Sequence, residues 1–81
     1  MRSVAFREKN EKYWKKLEFL LAKVEKKGHK NLKPDELTEI MSLYRQTCSS
    51  FYLAKSISLD KNLHSYLENL VMQGYLAIYC S

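Results

Sequence analysis

Apolar side chains recur at steps of three and four residues through most of this sequence, and this periodicity constrains the fold more than any other feature. Such steps place side chains on one face of an α-helix, whereas a half-buried β-strand alternates every two residues. No run of β-branched residues alternates with polar ones between turn signals. The sequence therefore predicts an all-α fold.

Two interruptions divide the periodic pattern into three helices. We place these helices at about residues 4–27, 34–55 and 60–79. Gly28 ends the first helix, because glycine adopts the left-handed conformation beyond a helix end without a Cβ penalty. Pro34 suits the first position of the second helix, and either Ser58 or Asp60 can cap the third.

The inner face of each helix is predicted to consist of its periodic apolar residues. The first helix contributes Phe6, Tyr13, Trp14, Leu17, Leu20, Leu21 and Val24. The second contributes Leu37, Ile40, Met41, Tyr44, Cys48, Phe51 and Tyr52. The third contributes Leu63, Leu67, Leu70, Val71, Gly74, Tyr75 and Ile78.

A chain of 81 residues holds one hydrophobic core, so residues 1–81 are predicted to form a single domain. Both connections are short, which favours antiparallel neighbours and a small three-helix up-down-up bundle.

Gly74 costs about 1 kcal/mol relative to Ala in the third helix unless something packs closely against it. A tight crossing inside the bundle is the favoured explanation, and self-association or a partner contact is the alternative. The third helix could also be broken.

Positive charge is concentrated in the first part of the chain. Residues 1–33 contain eleven Lys and Arg against four Glu, whereas residues 34–81 contain three against five acidic residues. Such a face attracts nucleic acid, anionic lipid or an acidic protein, although in a helical domain it is more often only solvated. Lys12, Lys16 and Lys23 are the candidate residues of a basic surface.

Groups that could form a catalytic site are sparse. His29 is predicted to be a solvated loop residue, and Cys48 a small buried hydrophobe. Asp60, His64 and Glu68 follow one helix edge and could hold a divalent metal, but an exposed ion-pair ladder has the same spacing and is favoured. We therefore predict a protein that is not an enzyme and has no cofactor, no metal and no small-molecule substrate.

Aromatic residues are more numerous than a three-helix core can enclose, so some rings should lie at the surface, as binding interfaces favour. We predict a contact cluster of Trp14, Tyr44 and Arg45, exposed or half-buried, although core packing is favoured for the Trp and the Tyr. Gly74 is the fourth candidate interaction residue.

Several short motifs occur together in a recognisable order. They are Tyr13-Trp14-Lys15-Lys16-Leu17-Glu18, Leu32-Lys33-Pro34-Asp35-Glu36-Leu37, Leu43-Tyr44-Arg45, Tyr66-Leu67, Leu70-Val71 and Ile78-Tyr79. In this order and spacing they resemble the N-terminal extramembrane domain of the stage II sporulation protein M family. The chain departs from that pattern at Glu68, where the family commonly has Asn, and at Gln73 and Tyr75, where it often has Arg and His.

The resemblance implies a cytoplasmic helical domain that serves assembly or protein–protein docking at the cytoplasmic face of the cell membrane. Its membrane helices would follow in a segment not present in this chain. The uncharged residues 69–81 fit a helix that approaches a bilayer, and the basic first helix fits a cytoplasmic position. The expected partners are other proteins or a second copy.

A nucleic-acid-binding helical module that uses the basic first helix is the alternative function. A helix that reads DNA needs exposed Arg, Asn or Gln behind a short turn, whereas the third helix offers mostly Leu and Tyr. Nucleic acid is therefore the less favoured partner.

Overall fold

The computed structural model describes residues 2–28, 32–57 and 60–80, which form three α-helices. Their bounds are α1 (Arg2–Lys27), α2 (Pro34–Ile57) and α3 (Lys61–Tyr79). The prediction of an all-α fold is confirmed, and the described residues contain no strand. Compared with the predicted bounds, α1 begins two residues earlier, α2 ends two residues later and α3 begins one residue later. Because α3 is continuous, the alternative of a broken third helix is excluded.

Gly28 ends α1 as the sequence predicts. Its φ angle is +75°, in the left-handed region that favours glycine. Its backbone N–H donates to the carbonyl of Val24 at 2.7 Å and so satisfies one of the carbonyls that a helix end leaves without a partner. His29, predicted to be a solvated loop residue, lies outside the described residues.

The start of α2 combines two local signals. Pro34 is the first helical residue, where its missing N–H costs nothing. Glu36, two positions later, accepts a hydrogen bond at 3.0 Å from the backbone N–H of Lys33, which is the reach-back contact of a capping box. These contacts fix where the second helix begins.

Asp60 caps α3, as predicted. Its carboxylate accepts hydrogen bonds from the backbone N–H groups of Asn62 and Leu63, at 3.0 and 3.1 Å. Ser58, the other candidate cap, lies outside the described residues. A carboxylate at this position also complements the positive end of the helix dipole.

Cross-helix contacts confirm the up-down-up arrangement. The end of α1 meets the start of α2 at the Lys23–Glu36 ion pair. The end of α2 meets the start of α3, where Nε2 of His64 lies 2.9 Å from the carbonyl oxygen of Ala54. α2 packs against both other helices, and α1 and α3 contact each other less extensively.

The core lies along the centre of this bundle. Its buried apolar residues are Trp14, Leu17, Leu20, Leu21, Val24, Leu32, Ile40, Leu43, Ala54, Leu63, Leu67 and Leu70. For α1 the predicted inner face is confirmed, with Phe6 and Tyr13 half-buried at its edge.

The predicted inner face of α2 is wrong in part. Ile40 is buried, but Met41 and Tyr52 are exposed, and so is Leu37. The other residues that α2 buries are Leu43, Thr47, Ser50 and Ala54. Three of these are small, which lets α2 lie close to both neighbours. Thr47 is tolerated there because its hydroxyl donates to the carbonyl of Leu43 at 2.8 Å.

The predicted inner face of α3 is largely confirmed. Leu63, Leu67, Leu70 and Gly74 are buried. Tyr75 was predicted to lie on the same face, but half of its surface is exposed. A step of one residue rotates a helical side chain by about 100°, which takes Tyr75 from the buried side at Gly74 to the outside of the bundle.

Candidate interaction surface

The second half of α3 is apolar on both sides. Opposite its buried residues it exposes four large side chains at the helical spacing i, i+3, i+4 and i+7. These residues, which we name the α3 stripe, are Met72, Tyr75, Leu76 and Tyr79. Each is between 50% and 65% exposed, so the stripe is a continuous apolar ridge on the surface.

The α3 stripe does not continue into the first half of the helix. At the preceding positions of the same face, with the same helical spacing, the chain has Lys61, Ser65 and Glu68, all exposed. These polar residues are what a solvated helix face usually contains. The apolar character is thus confined to the last two turns of α3.

Tyrosine rings connect the α3 stripe to α2. The rings of Tyr75 and Tyr79 are 5.1 Å apart between centroids, and those of Tyr79 and Tyr44 are 6.4 Å apart in an edge-to-face arrangement. Both distances lie in the favourable range for aromatic pairs. The three rings form one row across α2 and α3.

Gly74 makes this row possible. A Cβ atom added at Gly74 would lie 2.6 Å from Cδ1 of Tyr44, closer than van der Waals contact allows. The favoured explanation of Gly74, a tight crossing inside the bundle, is therefore confirmed, since Tyr44 of the same chain occupies the space above it. Gly74 itself is buried and lies on the side of α3 away from the stripe.

Tyr44 stays neutral at physiological pH. Burial raises the pKa of its phenol to about 12, and the hydrogen bond with Cys48 and the neighbouring rings of Tyr79 and Tyr75 act in the same direction. Tyr44 therefore adds no charge to this surface. Arg45, exposed beside Tyr44, is the charged residue of the small cleft on this side.

A groove of about 520 Å³ lies on the other side of the α3 stripe, between α3 and α1. Its apolar lining includes Leu21 and Ala22 from α1 and Leu76 from α3, and Glu18 and Glu25 stand at its α1 side. The volume falls within the range of ligand-binding clefts, but the groove is open to solvent. It extends the apolar surface of the stripe towards α1.

Trp14 does not belong to this surface, and the predicted cluster of Trp14, Tyr44 and Arg45 is wrong in that respect. Trp14 is 0% exposed, and its ring contacts Phe6 and Tyr66 at 5.7 and 6.1 Å between centroids. Core packing, the favoured explanation of this residue, holds because the large indole fills the space between α1 and α3. Tyr44 and Arg45 do share a cleft, whose other side α3 provides.

A smaller cavity of about 220 Å³ lies beside Trp14. Arg7, Glu11, Lys15 and Tyr66 also line it. The Tyr66 hydroxyl donates to Glu18 at 2.7 Å, and burial followed by this hydrogen bond raises the pKa of the phenol. The volume is below that of usual small-molecule sites.

The three candidate residues of the basic surface differ in their surroundings. Lys16 pairs with Glu39 at 2.6 Å, and Lys23 pairs with Glu36 at 2.8 Å. Lys12 lies over the ring of Tyr13, 5.1 Å from its centroid. Two of the three lysines are therefore partly neutralised by acidic residues at the start of α2.

His64 acts in the structure as a link between helices. Its Nε2 donates to the carbonyl of Ala54, one of the last carbonyls of α2, which have no partner within the helix. Across residues 2–28, 32–57 and 60–80, no three His, Cys, Asp or Glu side chains are placed to hold a metal ion.

Cys48, predicted to be buried, is half-buried beside Tyr44, and Cys80 is exposed.

Sequence periodicity missed the two members of the α3 stripe that are not aromatic, Met72 and Leu76. Both lie between residues of the predicted inner face and look like part of one broad apolar segment. The usable signal is the i, i+3, i+4, i+7 spacing of residues 72, 75, 76 and 79, on the side opposite the buried leucines. The prediction that some aromatic rings lie at the surface is confirmed by Tyr75 and Tyr79.

Comparison with known families identifies a match over most of the chain. The sequence profile of a family described as a domain of unknown function, DUF8413, matches residues 4–80, which is nearly the whole chain. No curated protein and no solved structure is significantly similar to the chain. No helix within the described ranges combines the length and the hydrophobicity that crossing a membrane requires.

Proposed function

We propose that this chain, which belongs to the DUF8413 family, is a non-enzymatic protein-interaction domain. Its docking surface is the α3 stripe together with the adjoining Met41 and Tyr44 of α2. The observation that carries the proposal is the second apolar face of α3, which lies opposite the buried face and is exposed over two helical turns.

The physical reason is that this face is not needed for the fold. The bundle already buries Leu63, Leu67 and Leu70 of α3, and polar residues on the outer face would make the domain more soluble without disturbing the core. Single exposed apolar side chains are ordinary, whereas a contiguous apolar patch indicates a contact with another molecule. Tyr and Met are also among the residue types enriched at protein interfaces.

Several polar side chains outside the α3 stripe have contacts that explain them as part of the fold. His64 holds the end of α2, Glu36 caps the start of α2 and pairs with Lys23, and Glu18 accepts from Tyr66. These contacts stabilise helix ends and helix pairs. An interaction domain requires no further chemistry from them.

Attachment to the cytoplasmic face of a membrane, and a link to sporulation, follow only from the resemblance to the stage II sporulation protein M family and stay predictions. Docking through α3 requires neither. A membrane segment beyond this chain would bring the domain close to other membrane-bound proteins, which is compatible with a function in assembly.

Site-specific photo-crosslinking in the cells that make the protein tests the proposal. A photo-reactive amino acid at Met72 should yield protein adducts on irradiation, because this position lies on the α3 stripe. The same amino acid at Tyr52 is the matched control, since Tyr52 is 78% exposed but lies near the end of α2, away from the stripe. Adducts that are absent at Met72, or equally abundant at both positions, would contradict the proposal.

A further inference from the structure

We infer that the molecule docking on the α3 stripe is a second copy of this chain, so that the protein forms a symmetric dimer through its α3 helices. This inference rests on the proposed function and names the partner. It concerns the outer face of α3, not Gly74, whose open side is already filled by Tyr44 of the same chain.

Charge is the first argument for a second copy. The net charge of +5 makes two copies repel each other wherever their charged faces meet. Residues 69–80 contain no charged side chain, so the α3 stripe itself brings no like charges together when two copies approach, and Arg45 is the charged residue of the adjoining cleft. A strongly charged partner would find no complementary charge on the stripe itself.

Self-complementarity is the second argument. In a twofold dimer the same patch of both subunits forms the contact, so the patch must fit a copy of itself. The stripe meets this requirement because it is apolar along its whole length, and four side chains at helical spacing form a ridge that can pack beside the ridge of another helix. The outer face of α1, with its lysines, would instead oppose like charges.

The exposed area is the third argument. At about 200 Å² for a fully exposed residue of this size, the exposed fractions leave roughly 450 Å² on Met72, Tyr75, Leu76 and Tyr79. A standard interface buries about 800 Å² on each partner. The stripe thus provides about half of such an interface, and the exposed Met41 together with the groove beside Leu76 adjoins it.

The ring contacts lower the entropic cost of pairing. Tyr79 is held between Tyr44 and Tyr75 within one subunit, so these side chains are already ordered before a second copy arrives. Ordering flexible side chains at an interface costs about 0.5–1.5 kcal/mol each, and a preordered row avoids part of this cost.

Sedimentation equilibrium of the purified chain over a range of concentrations tests the inference. The wild-type chain should reach twice its mass of 9.6 kDa. Tyr75→Glu and Tyr75→Lys should each remain monomeric, because each places like charges near the centre of the paired stripes. A mixture of the two variants should recover the dimer, since opposite charges then face each other across the interface.

Two controls make the result specific. Tyr52→Glu places the same charge at an exposed tyrosine outside the stripe and should leave the dimer intact. Met72→Glu changes a second exposed residue of the stripe and should also give a monomer. Circular dichroism of Met72→Glu and Tyr75→Glu should show that both monomers keep their helices.

Several results would overturn the inference: a wild-type chain that is monomeric at all concentrations, stripe variants that remain dimeric, a Glu and Lys mixture that stays monomeric, or equal disruption by Tyr52→Glu. If the chain is monomeric but Met72 crosslinks to a different protein in cells, the second copy is excluded and the docking function stands. If neither experiment detects a contact at the stripe, both fail.

Discussion

The outer faces of α1 and α3 differ although their inner faces are built alike. Both helices bury a row of large apolar residues dominated by leucine. Outside, α1 is charged, and its lysines surround a single exposed ring, Phe19. The second half of α3 carries no charge outside and exposes the four apolar residues of the stripe. Two helices with similar buried faces therefore have outer faces of different chemistry: that of α1 is suited to water, and that of α3 is suited to contact with another molecule.

The difference shows which apolar residues need an explanation other than folding. On α1 the periodic residues are used up by the core, and most of the remaining positions are polar, as solubility requires, with Val4 and Phe19 as separate exposed apolar residues. On α3 the core uses Leu63, Leu67 and Leu70, and a second set of apolar residues remains. Residues that the core does not need, and that solubility disfavours, are the evidence for a docking surface.

The largest expected effect is a loss of stability, and it should differ between a buried and an exposed leucine of α3. Leu67→Ala should lower the free energy of unfolding by about 2–5 kcal/mol, because Leu67 is fully buried and its truncation leaves a cavity. Leu76→Ala should lower it by about 1 kcal/mol or less, because half of this side chain is exposed. Urea denaturation of dilute samples measures both values. Equal losses would mean that the two faces of α3 are not distinct.

A double-mutant cycle at Gly74 and Tyr44 tests whether the Tyr44 ring packs directly on Gly74. In the wild-type background Gly74→Ala should destabilise the fold by about 1–2 kcal/mol, because the added methyl group collides with the Tyr44 ring. In a Tyr44→Ala background the same change should stabilise it by up to about 1 kcal/mol, because alanine is the better helix former. An effect of the same sign in both backgrounds would contradict the close contact.

Acid should weaken the contact between α1 and α2 and leave the α3 stripe unaffected. The hydrogen bond from Lys23, and then that from the Lys33 backbone, hold the pKa of Glu36 below its usual value of 4.5. Its contribution to stability is therefore complete above pH 4.5 and is lost as the pH falls through the lowered pKa. Melting temperatures measured against pH should fall less steeply in Glu36→Gln than in wild type. Parallel curves for the two chains would show that Glu36 does not contribute.

The smallest expected effect concerns DNA and the basic face of α1. Because Lys16 and Lys23 are paired with acidic residues of α2, binding to duplex DNA should be weak at low salt and absent at physiological salt. Fluorescence anisotropy with Lys12→Glu, Lys16→Glu and Lys23→Glu variants tests this. Strong binding that falls steeply with salt and shrinks on charge reversal would support the nucleic-acid alternative instead.

Much of the fold could be predicted because local signals are strong. Gly28, Pro34 and Asp60 mark helix ends through backbone conformation and hydrogen bonds that depend on neighbouring residues only. The inner face of α2 could not be predicted in the same way, because Thr47 and Ser50 do not look apolar. Their burial depends on close packing with two other helices.

The candidate surface was less predictable for a related reason. Trp14 and Tyr44 looked equivalent in the sequence, since each belongs to a periodic apolar face and core packing is favoured for both. Which ring is buried depends on the rotation of each helix within the bundle, and one helical position changes a side chain from inside to outside. Only the assembled structure separates the buried Trp14 from the exposed Tyr75 and Tyr79.

A concentration series of ¹H–¹⁵N correlation spectra tests most directly whether the outer face of α3 is the interface. Amide shifts of residues 72–79 should change progressively as the protein concentration rises, while those of the α1 face around Phe19 should stay constant. Shift changes centred on α1, or a spectrum that does not change with concentration, would contradict pairing of two copies through the α3 stripe.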